Sequence, residues 1–326
     1  MAAAMRRRVV ATAALPGDLS RMLTEHDVVG PSAGVWPRER WLAELGDAAA
    51  LVPLVSDRID DDVLARAPGL RVVANYGVGL DNVDVAAASA RGVAVTNTPD
   101  VLTEATADLA FALVLAAARR LGEGERMVRA GQWQGWAPDL LLGADVWGRT
   151  LGIVGLGRIG RAVARRGLGF GMRVVHSGGR ADGVASEPVA LADLLAASDV
   201  VSLHCPLTPA TRGLIDAAAL AAMKPTAILV NTARGPLIDE GALAEALTAG
   251  RLGGAGLDVF VGEPRIDPRL LAAPRLVLAP HLGSATTTAR TRMAELCAHA
   301  VRDVLAGRRP AHLVNPDAVA ARYGWS

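Results

Sequence analysis

The chain has 326 residues, 51% of them hydrophobic and 21% charged, with a formal net charge of +1; this is length enough for two domains with separate cores and the balance of a soluble globular protein. The near-zero charge and the scarcity of aromatic residues exclude a nucleic-acid platform. Two distant cysteines, Cys205 and Cys297, exclude a disulfide framework or a zinc site. No apolar run reaches the length of a bilayer span. These features predict a cytoplasmic protein with no nucleic-acid, membrane or metal partner.

The start, Met5-Arg-Arg-Arg8 and the apolar residues after it, has the outline of a signal peptide. Residues 9–13 fit better as a first core strand, ended by Pro16 and followed by a helix over 18–26. Further strands are expected over 27–30, 50–54, 70–75 and 92–96, with helices over 38–45 and 60–66 among them. Such alternation argues a parallel sheet with helices on both faces. Pro99-Asp100 breaks the rhythm, and 103–120 reads as a long helix carrying Leu109, Phe111, Leu113, Val114 and Leu115. Its Thr103-x-x-Thr106 start lacks the glutamate of a full capping box. A helix so apolar is expected between domains or against a second chain. The loop Gln132-Trp133-Gln-Gly-Trp136-Ala-Pro138 then sets two of six tryptophans close together. They are either packed locally or laid over a neighbour's active site.

Residues 151–160 carry the pattern on which the rest depends, Gly155-Leu156-Gly157-Arg158-Ile159-Gly160 after an apolar strand and before an amphipathic helix. The first glycine permits a tight turn, the second lets backbone approach a pyrophosphate, and the third lets helix pack on strand. The helix N-terminus then turns its unpaired N–H groups toward phosphates. A second strand over 173–176 completes the βαβ unit and ends in His176-Ser177-Gly178-Gly179-Arg180. An NAD site usually places an acid there for the ribose hydroxyls. With no carboxylate in that stretch, and with Arg180 and Ser177 able to hold a 2′-phosphate, NADP(H) is the expected cofactor and NAD(H) the lesser one. The alternative is a solvated loop arginine that leaves the enzyme indifferent to the phosphate.

Strands over 199–203, 227–231, 254–258 and 276–279 continue the alternation, each ending in a polar or glycine-containing turn. Ligands gather at the carboxyl ends of such strands, which places Arg234, Glu263 and His281 around one crevice. A final helix over 287–306 and the tail are expected to cross back. The domains are therefore 1–99 plus 288–326, and 100–287.

An arginine can grip a carboxylate bidentately and polarise the adjacent carbonyl. A histidine can give that carbonyl a proton as hydride arrives. A carboxylate on the other ring nitrogen fixes the tautomer and favours the protonated ring. Arg234, His281 and Glu263 can fill these roles in turn. Singly they are also compatible with a loop arginine, a satisfied buried histidine and an ordinary turn; jointly they sit past strands of one expected sheet, beside one expected cofactor.

The motifs together resemble those of the D-isomer-specific 2-hydroxyacid dehydrogenase family, most of all its glyoxylate/hydroxypyruvate reductases, over nearly the full length. The carriers are Asn75-Tyr-Gly-Val-Gly-Leu-Asp-Asn82, Thr98-Pro-Asp-Val-Leu-Thr-Glu-Ala-Thr-Ala-Asp-Leu109, Gly131-Gln-Trp-x-x-Trp136-x-Pro138 and the 152–160 fingerprint. With them stand Asn231-Thr-Ala-Arg-Gly235, Gly256-Leu-Asp-Val259 with Glu263-Pro264, and Pro280-His-Leu-Gly-Ser-Ala-Thr286. The resemblance implies an α/β fold of two doubly wound parallel-sheet domains, a flavodoxin-like substrate domain and a Rossmann dinucleotide-binding domain. It implies Arg234, Glu263 and His281 as the catalytic set and the N–H groups of Val78 and Gly79 as a clamp on the substrate carboxylate. The Gly77-Val-Gly79 backbone suits that role unaided, since no side chain stands in an anion's way.

By the same resemblance Ser284 and Arg290 are further substrate contacts, Leu54 is a pocket wall, and Trp136 reaches the site of a partner subunit in a homodimer. Thr106, Thr232 and Asp258 fall at the nicotinamide half of the cofactor, Cys205 and Pro206 at the adenosine side, and Arg158 and Ile159 at the pyrophosphate. Thr211, Ala233 and Gly283 also fall against the cofactor. The implied activity is NADPH-preferring reduction of glyoxylate or hydroxypyruvate. The same scaffold also serves oxidation of another small anion such as phosphite, or an NAD(H)-sensing co-repressor. The short segment 265–271 gives no clue to substrate size.

Overall fold

The structure, a computed structural model, describes residues 6–325; Met5 of the basic start and the outermost ends of the expected first domain lie outside them. The chain divides into two compact units. One comprises the chain up to Leu102 and from Ala285 onward, the other Thr103–Ser284.

The first unit is built on β1 (Arg8–Ala11), β2 (Asp27–Val29), β3 (Ala48–Val52), β4 (Val72–Ala74) and β5 (Ala94–Thr96), all parallel, in the order β2-β1-β3-β4-β5. That is the flavodoxin-like order. Its strands are short apolar runs because both sheet faces are covered; every residue of β3, β4 and β5 is buried. The helix Thr287–Leu305 packs on β3, β4 and β5, with Thr286 capping its start by accepting from the Ala289 N–H. Asn315 ties the returning chain to the sheet edge. Its Oδ1 accepts from the Val95 N–H at 2.9 Å and its Nδ2 donates to the Val93 carbonyl at 3.0 Å.

The second unit holds β6 (Thr150–Leu156), β7 (Arg173–Gly179), β8 (Glu187–Pro188), β9 (Val200–Leu203), β10 (Ile228–Asn231), β11 (Gly254–Leu257) and β12 (Leu276–Leu278). Their order is β12-β11-β10-β9-β6-β7-β8, again parallel. Beside β6 the order reverses, and the glycine fingerprint stands at that switch point.

Several elements differ from the sequence expectation. The apolar helix ends at Ala118 because Arg120 takes a left-handed φ of 54°, and a second helix, Leu121–Arg129, follows. The first of these, Thr103–Ala118, is buried on Arg158–Gly169, β10 and β11, within its own unit. Its apolar surface thus packs within its own unit, where the sequence predicted another domain or a second chain. β7 does not stop at His176 but continues through Ser177, Gly178 and Gly179, where Gly179 still pairs with Leu156 of β6. Finally Pro316–Tyr323 forms a helix with proline in its first turn, and the helix expected over 18–26 shrinks to Leu19–Met22. Among the described residues no helix is long and apolar enough to cross a membrane, and no cluster of His, Cys, Asp and Glu could hold a metal ion.

Candidate active site

The fingerprint glycines have separate physical reasons. Gly155 adopts φ 93°, and a Cβ there would lie 2.6 Å from the backbone nitrogen of Cys205. Gly157 has open space over it, as a backbone approached by a ligand requires. A Cβ on Gly160 would strike the Gly155 carbonyl at 2.3 Å, so helix Arg158–Gly169 could not pack so close to β6. Leu156 is buried, Ile159 half-buried and Arg158 exposed at the first turn of that helix.

Cys205 and Pro206 follow β9, and burial pushes the Cys205 thiol up. Thr211 closes the loop beyond them, its Oγ1 donating to the Pro206 carbonyl at 2.7 Å and accepting from the Thr208 N–H at 2.8 Å. At the end of β7 Ser177 is half-buried while Gly178, Gly179 and Arg180 are exposed. A carboxylate does stand near: Asp182, two residues past Arg180, pairs with Arg161 at 3.0 Å, and Arg161 also donates to the Arg180 carbonyl at 3.4 Å.

Arg234, Glu263 and His281 come from the ends of β10, β11 and β12. Asn231 sets the first turn, its Nδ2 donating to the Arg234 carbonyl at 2.8 Å while its Oδ1 accepts from the Ala233 N–H at 3.0 Å. Gly235 allows the turn to meet the next loop, since a Cβ there would stand 2.1 Å from the Phe260 carbonyl carbon. Glu263 Oε1 accepts from the Phe260 N–H and its Oε2 meets His281 Nδ1, each at 2.8 Å. Burial pushes the Glu263 carboxyl up, but the His281 and Phe260 hydrogen bonds and the His281 and Arg234 charges outweigh it, holding the group below the usual carboxylate range. Imidazole and carboxylate side chains are 36% and 33% exposed, so the pair remains open to a reactant.

His281 is held in a strained backbone form, φ 55°, a cost of roughly 1–3 kcal/mol for a non-glycine residue. Asp258 supplies the restraint. Its carbonyl accepts from the His281 N–H at 2.9 Å, and its carboxylate oxygens accept from the Leu282 and Gly283 N–H groups at 2.6 and 2.8 Å. Burial nonetheless raises the fully buried Asp258 carboxyl. Thr106 Oγ1 donates to the Gly283 carbonyl at 3.1 Å, and Ser284, half-buried, is next in the chain. The buried Thr232 hydroxyl has no hydrogen-bond partner among the described residues. An orphaned hydroxyl on this side of the sheet and open space over Gly157 fit a bound dinucleotide.

In the first unit Leu54 is half-buried, its N–H donating to Asp57 Oδ2 at 2.8 Å. The N–H groups of Val78 and Gly79 find no acceptor among the described residues. Arg290 lies in the first turn of helix Thr287–Leu305, where its carbonyl accepts from the Tyr76 hydroxyl at 2.8 Å. Trp136 is 84% exposed and Trp133 55%, so the loop is not packed locally.

A family model for the NAD-binding domain of D-isomer-specific 2-hydroxyacid dehydrogenases matches residues 111–283. The chain is a member of the D-isomer-specific 2-hydroxyacid dehydrogenase family. It is thus an oxidoreductase acting on the CH–OH group of 2-hydroxy acids, with a domain for a nicotinamide dinucleotide. It is 47% identical to a glyoxylate reductase of Thermococcus kodakarensis, over 98% of this chain and 99% of the relative. A crystal structure of a Thermus thermophilus protein superposes with a TM-score of 0.89 at 50% identity, covering 94% of this chain and 99% of the other. A third relative is the NADPH-dependent glyoxylate/hydroxypyruvate reductase of Sinorhizobium meliloti, solved with NADP and malonate. It is 33% identical with a TM-score of 0.85, covering 95% of this chain and 97% of that one.

Sequence reading passed over three further polar residues of this dehydrogenase. Glu240 is buried and accepts from the Val261 N–H at 2.6 Å, which steadies the loop that carries Glu263. Burial, with the charges of Asp267 and Glu263, raises its carboxyl. Asn75 and Asn97 stand behind the Val78–Gly79 loop. An asparagine beside a glycine-rich motif gives no chemical signal of its own; only its partners show what it does.

Proposed function

We propose that this dehydrogenase reduces small 2-oxo acids, glyoxylate and hydroxypyruvate foremost, to 2-hydroxy acids with NADPH preferred over NADH. The observation that carries the reading is the 2.8 Å contact between His281 Nδ1 and Glu263 Oε2. It leaves Nε2 as the ring nitrogen that faces a reactant, while the Nδ1 proton is held against the Glu263 carboxylate.

When bound, NADPH would supply hydride for the carbonyl carbon, so that 2-oxo acid, NADPH and a proton would become 2-hydroxy acid and NADP⁺. His281 Nε2 gives that proton to the carbonyl oxygen. Glu263 orients the imidazole through Nδ1 and the strained turn aims it, with Asp258 as anchor. Arg234 polarises the carbonyl, and the Val78 and Gly79 N–H groups take the carboxylate. Thr106, Thr232, Ala233, Asp258 and Gly283 serve the nicotinamide half; the two Asp258 oxygens each keep a second lone pair for a carboxamide. Arg180, with Ser177, receives the 2′-phosphate, and Arg161 offsets Asp182 beside it. The exposed Trp133 and Trp136, with Leu142 at 67% and Val128 at 60%, favour a homodimer in which this region meets a second copy.

The test is NADPH oxidation at neutral pH with glyoxylate and with hydroxypyruvate, repeated with NADH. Turnover with either acid, faster with NADPH, is expected. Saturable NADPH binding without turnover of either acid would overturn the reductase reading and favour another small anion or a sensor.

A further inference from the structure

We infer that Asn97 is a positioning residue for substrate binding, its side-chain amide locking the Val78–Gly79 peptide so that the Gly79 N–H is presented to the substrate carboxylate. The inference rests on the proposed role of the Val78–Gly79 loop. A trans peptide is planar, so its C=O and N–H point in opposite directions. Whatever holds one aims the other. The Val78 carbonyl and the Gly79 N–H belong to one peptide, and Asn97 Nδ2 donates to that carbonyl at 2.9 Å.

The peptides on either side are held in the same sense. The Gly77 carbonyl, whose peptide bears the Val78 N–H, accepts from the Thr98 N–H at 3.0 Å. The Gly79 carbonyl, whose peptide bears the Leu80 N–H, accepts from Asn75 Nδ2 at 2.8 Å. Asn75 is itself fixed, its Oδ1 accepting from Asn82 Nδ2 at 3.0 Å, and the same Asn82 nitrogen donates to the Leu54 carbonyl at 3.1 Å. Three consecutive carbonyls are thus tied from behind by donors, and the N–H groups of Val78, Gly79 and Leu80 have no acceptor among the described residues. Successive amides freed on one side form an anion-binding concavity.

Asn97 is the member of this set that can be changed alone. It is half-buried just past β5, whereas Asn75 is fully buried. Should the Val78–Gly79 peptide turn over, a carbonyl oxygen would face the incoming carboxylate. Asn97→Asp favours that state, because a carboxylate repels the Val78 carbonyl and attracts the Gly79 N–H. Asn97→Ala merely releases the peptide.

The experiment uses the full-length enzyme and follows two readouts, KM for glyoxylate and the affinity of the NADPH complex for oxalate, a non-reacting carboxylate, by calorimetry. Loss of one net hydrogen bond predicts a rise of about two- to tenfold in both for Asn97→Ala. Asn97→Asp should exceed it, at roughly tenfold or more. The NADPH dissociation constant and the melting temperature should stay close to the parent's. Gly79→Pro, which deletes the N–H itself, tests the underlying loop reading. If it raises both quantities while Asn97→Asp does not, the role of Asn97 is overturned and the loop reading stands. If Gly79→Pro binds NADPH normally and leaves both unchanged, the loop reading falls and the inference with it. A loss of NADPH affinity or melting temperature in both Asn97 variants, parallel to the loss of oxalate binding, would mark a merely structural residue and also overturn it.

Discussion

The corner formed by Glu263 and His281 and the loop of residues 77–79 solve opposite problems. At the corner one ionisable pair performs the chemistry of the proposed reaction, and backbone groups hold it in place: the Phe260 N–H on Glu263, the Asp258 carbonyl on His281. In the loop it is the backbone that is proposed to meet the ligand, and side chains hold it, Asn97 and Asn75 from behind. A site made of side-chain chemistry is lost with one residue, while a site made of backbone degrades by steps. The proposed reaction predicts a corresponding order of effects.

His281→Ala should cost most, about 100- to 10,000-fold in kcat with little change in NADPH affinity, as removal of a general acid does. A loss below tenfold in stopped-flow hydride transfer would break the contrast between the two regions. Glu263→Gln keeps a hydrogen-bonding group but removes the charge, and about tenfold or more in kcat/KM should go with it. Because Glu263 titrates below the usual carboxylate range, the parent should keep its activity as pH falls until that group protonates, and the pair's contribution to stability should disappear over the same interval. The variant should lack this acid limb; a pH–rate profile superposable on the parent's would show that Glu263 is a bystander.

Arg180→Gln should raise KM for NADPH about tenfold while leaving NADH unaffected, since only the 2′-phosphate makes the charge-assisted contact. An equal effect on both cofactors would return Arg180 to an ordinary loop residue. The smallest effect on rate belongs to Asn315→Ala, which leaves the Val95 N–H and Val93 carbonyl unpaired in the first unit. It should cost about 1–3 kcal/mol in urea unfolding and almost nothing in kcat.

The corner was legible in the sequence because arginine, glutamate and histidine past strand ends announce their chemistry. The fingerprint was legible for a different reason: each of its glycines answers a separate steric demand, and no other residue meets all three. The extent of β7 was not, since Ser177-Gly178-Gly179 has the composition of a turn. Its pairing runs on to Gly179 because Gly178 and Gly179 take φ of 73° and 88° and no Cβ stands in the way; on Gly179 one would lie 2.7 Å from the Leu156 carbonyl carbon, a tertiary fact. Helix Leu121–Arg129 was hidden by its two glycines, and β8, two residues long, is below any periodic signal. The helix Pro316–Tyr323 was within reach, for asparagine, proline and aspartate in sequence are an N-terminal signature. The asparagines of the loop were out of reach, because a carbonyl they would hold is present at every position of every chain.

The division of the chain also bears on the order in which it is made. Residues 103–284 form a continuous unit that can fold as soon as it leaves the ribosome. The other unit cannot: β4 and β5 must wait for the helix Thr287–Leu305 and for Asn315, more than 180 residues downstream of β5. Through most of synthesis the strand ends leading into the Val78–Gly79 loop and Asn97 therefore remain unsupported. A nascent chain can thus complete its cofactor-binding unit first, while the loop proposed to hold the substrate gains its supports only after the last helices emerge.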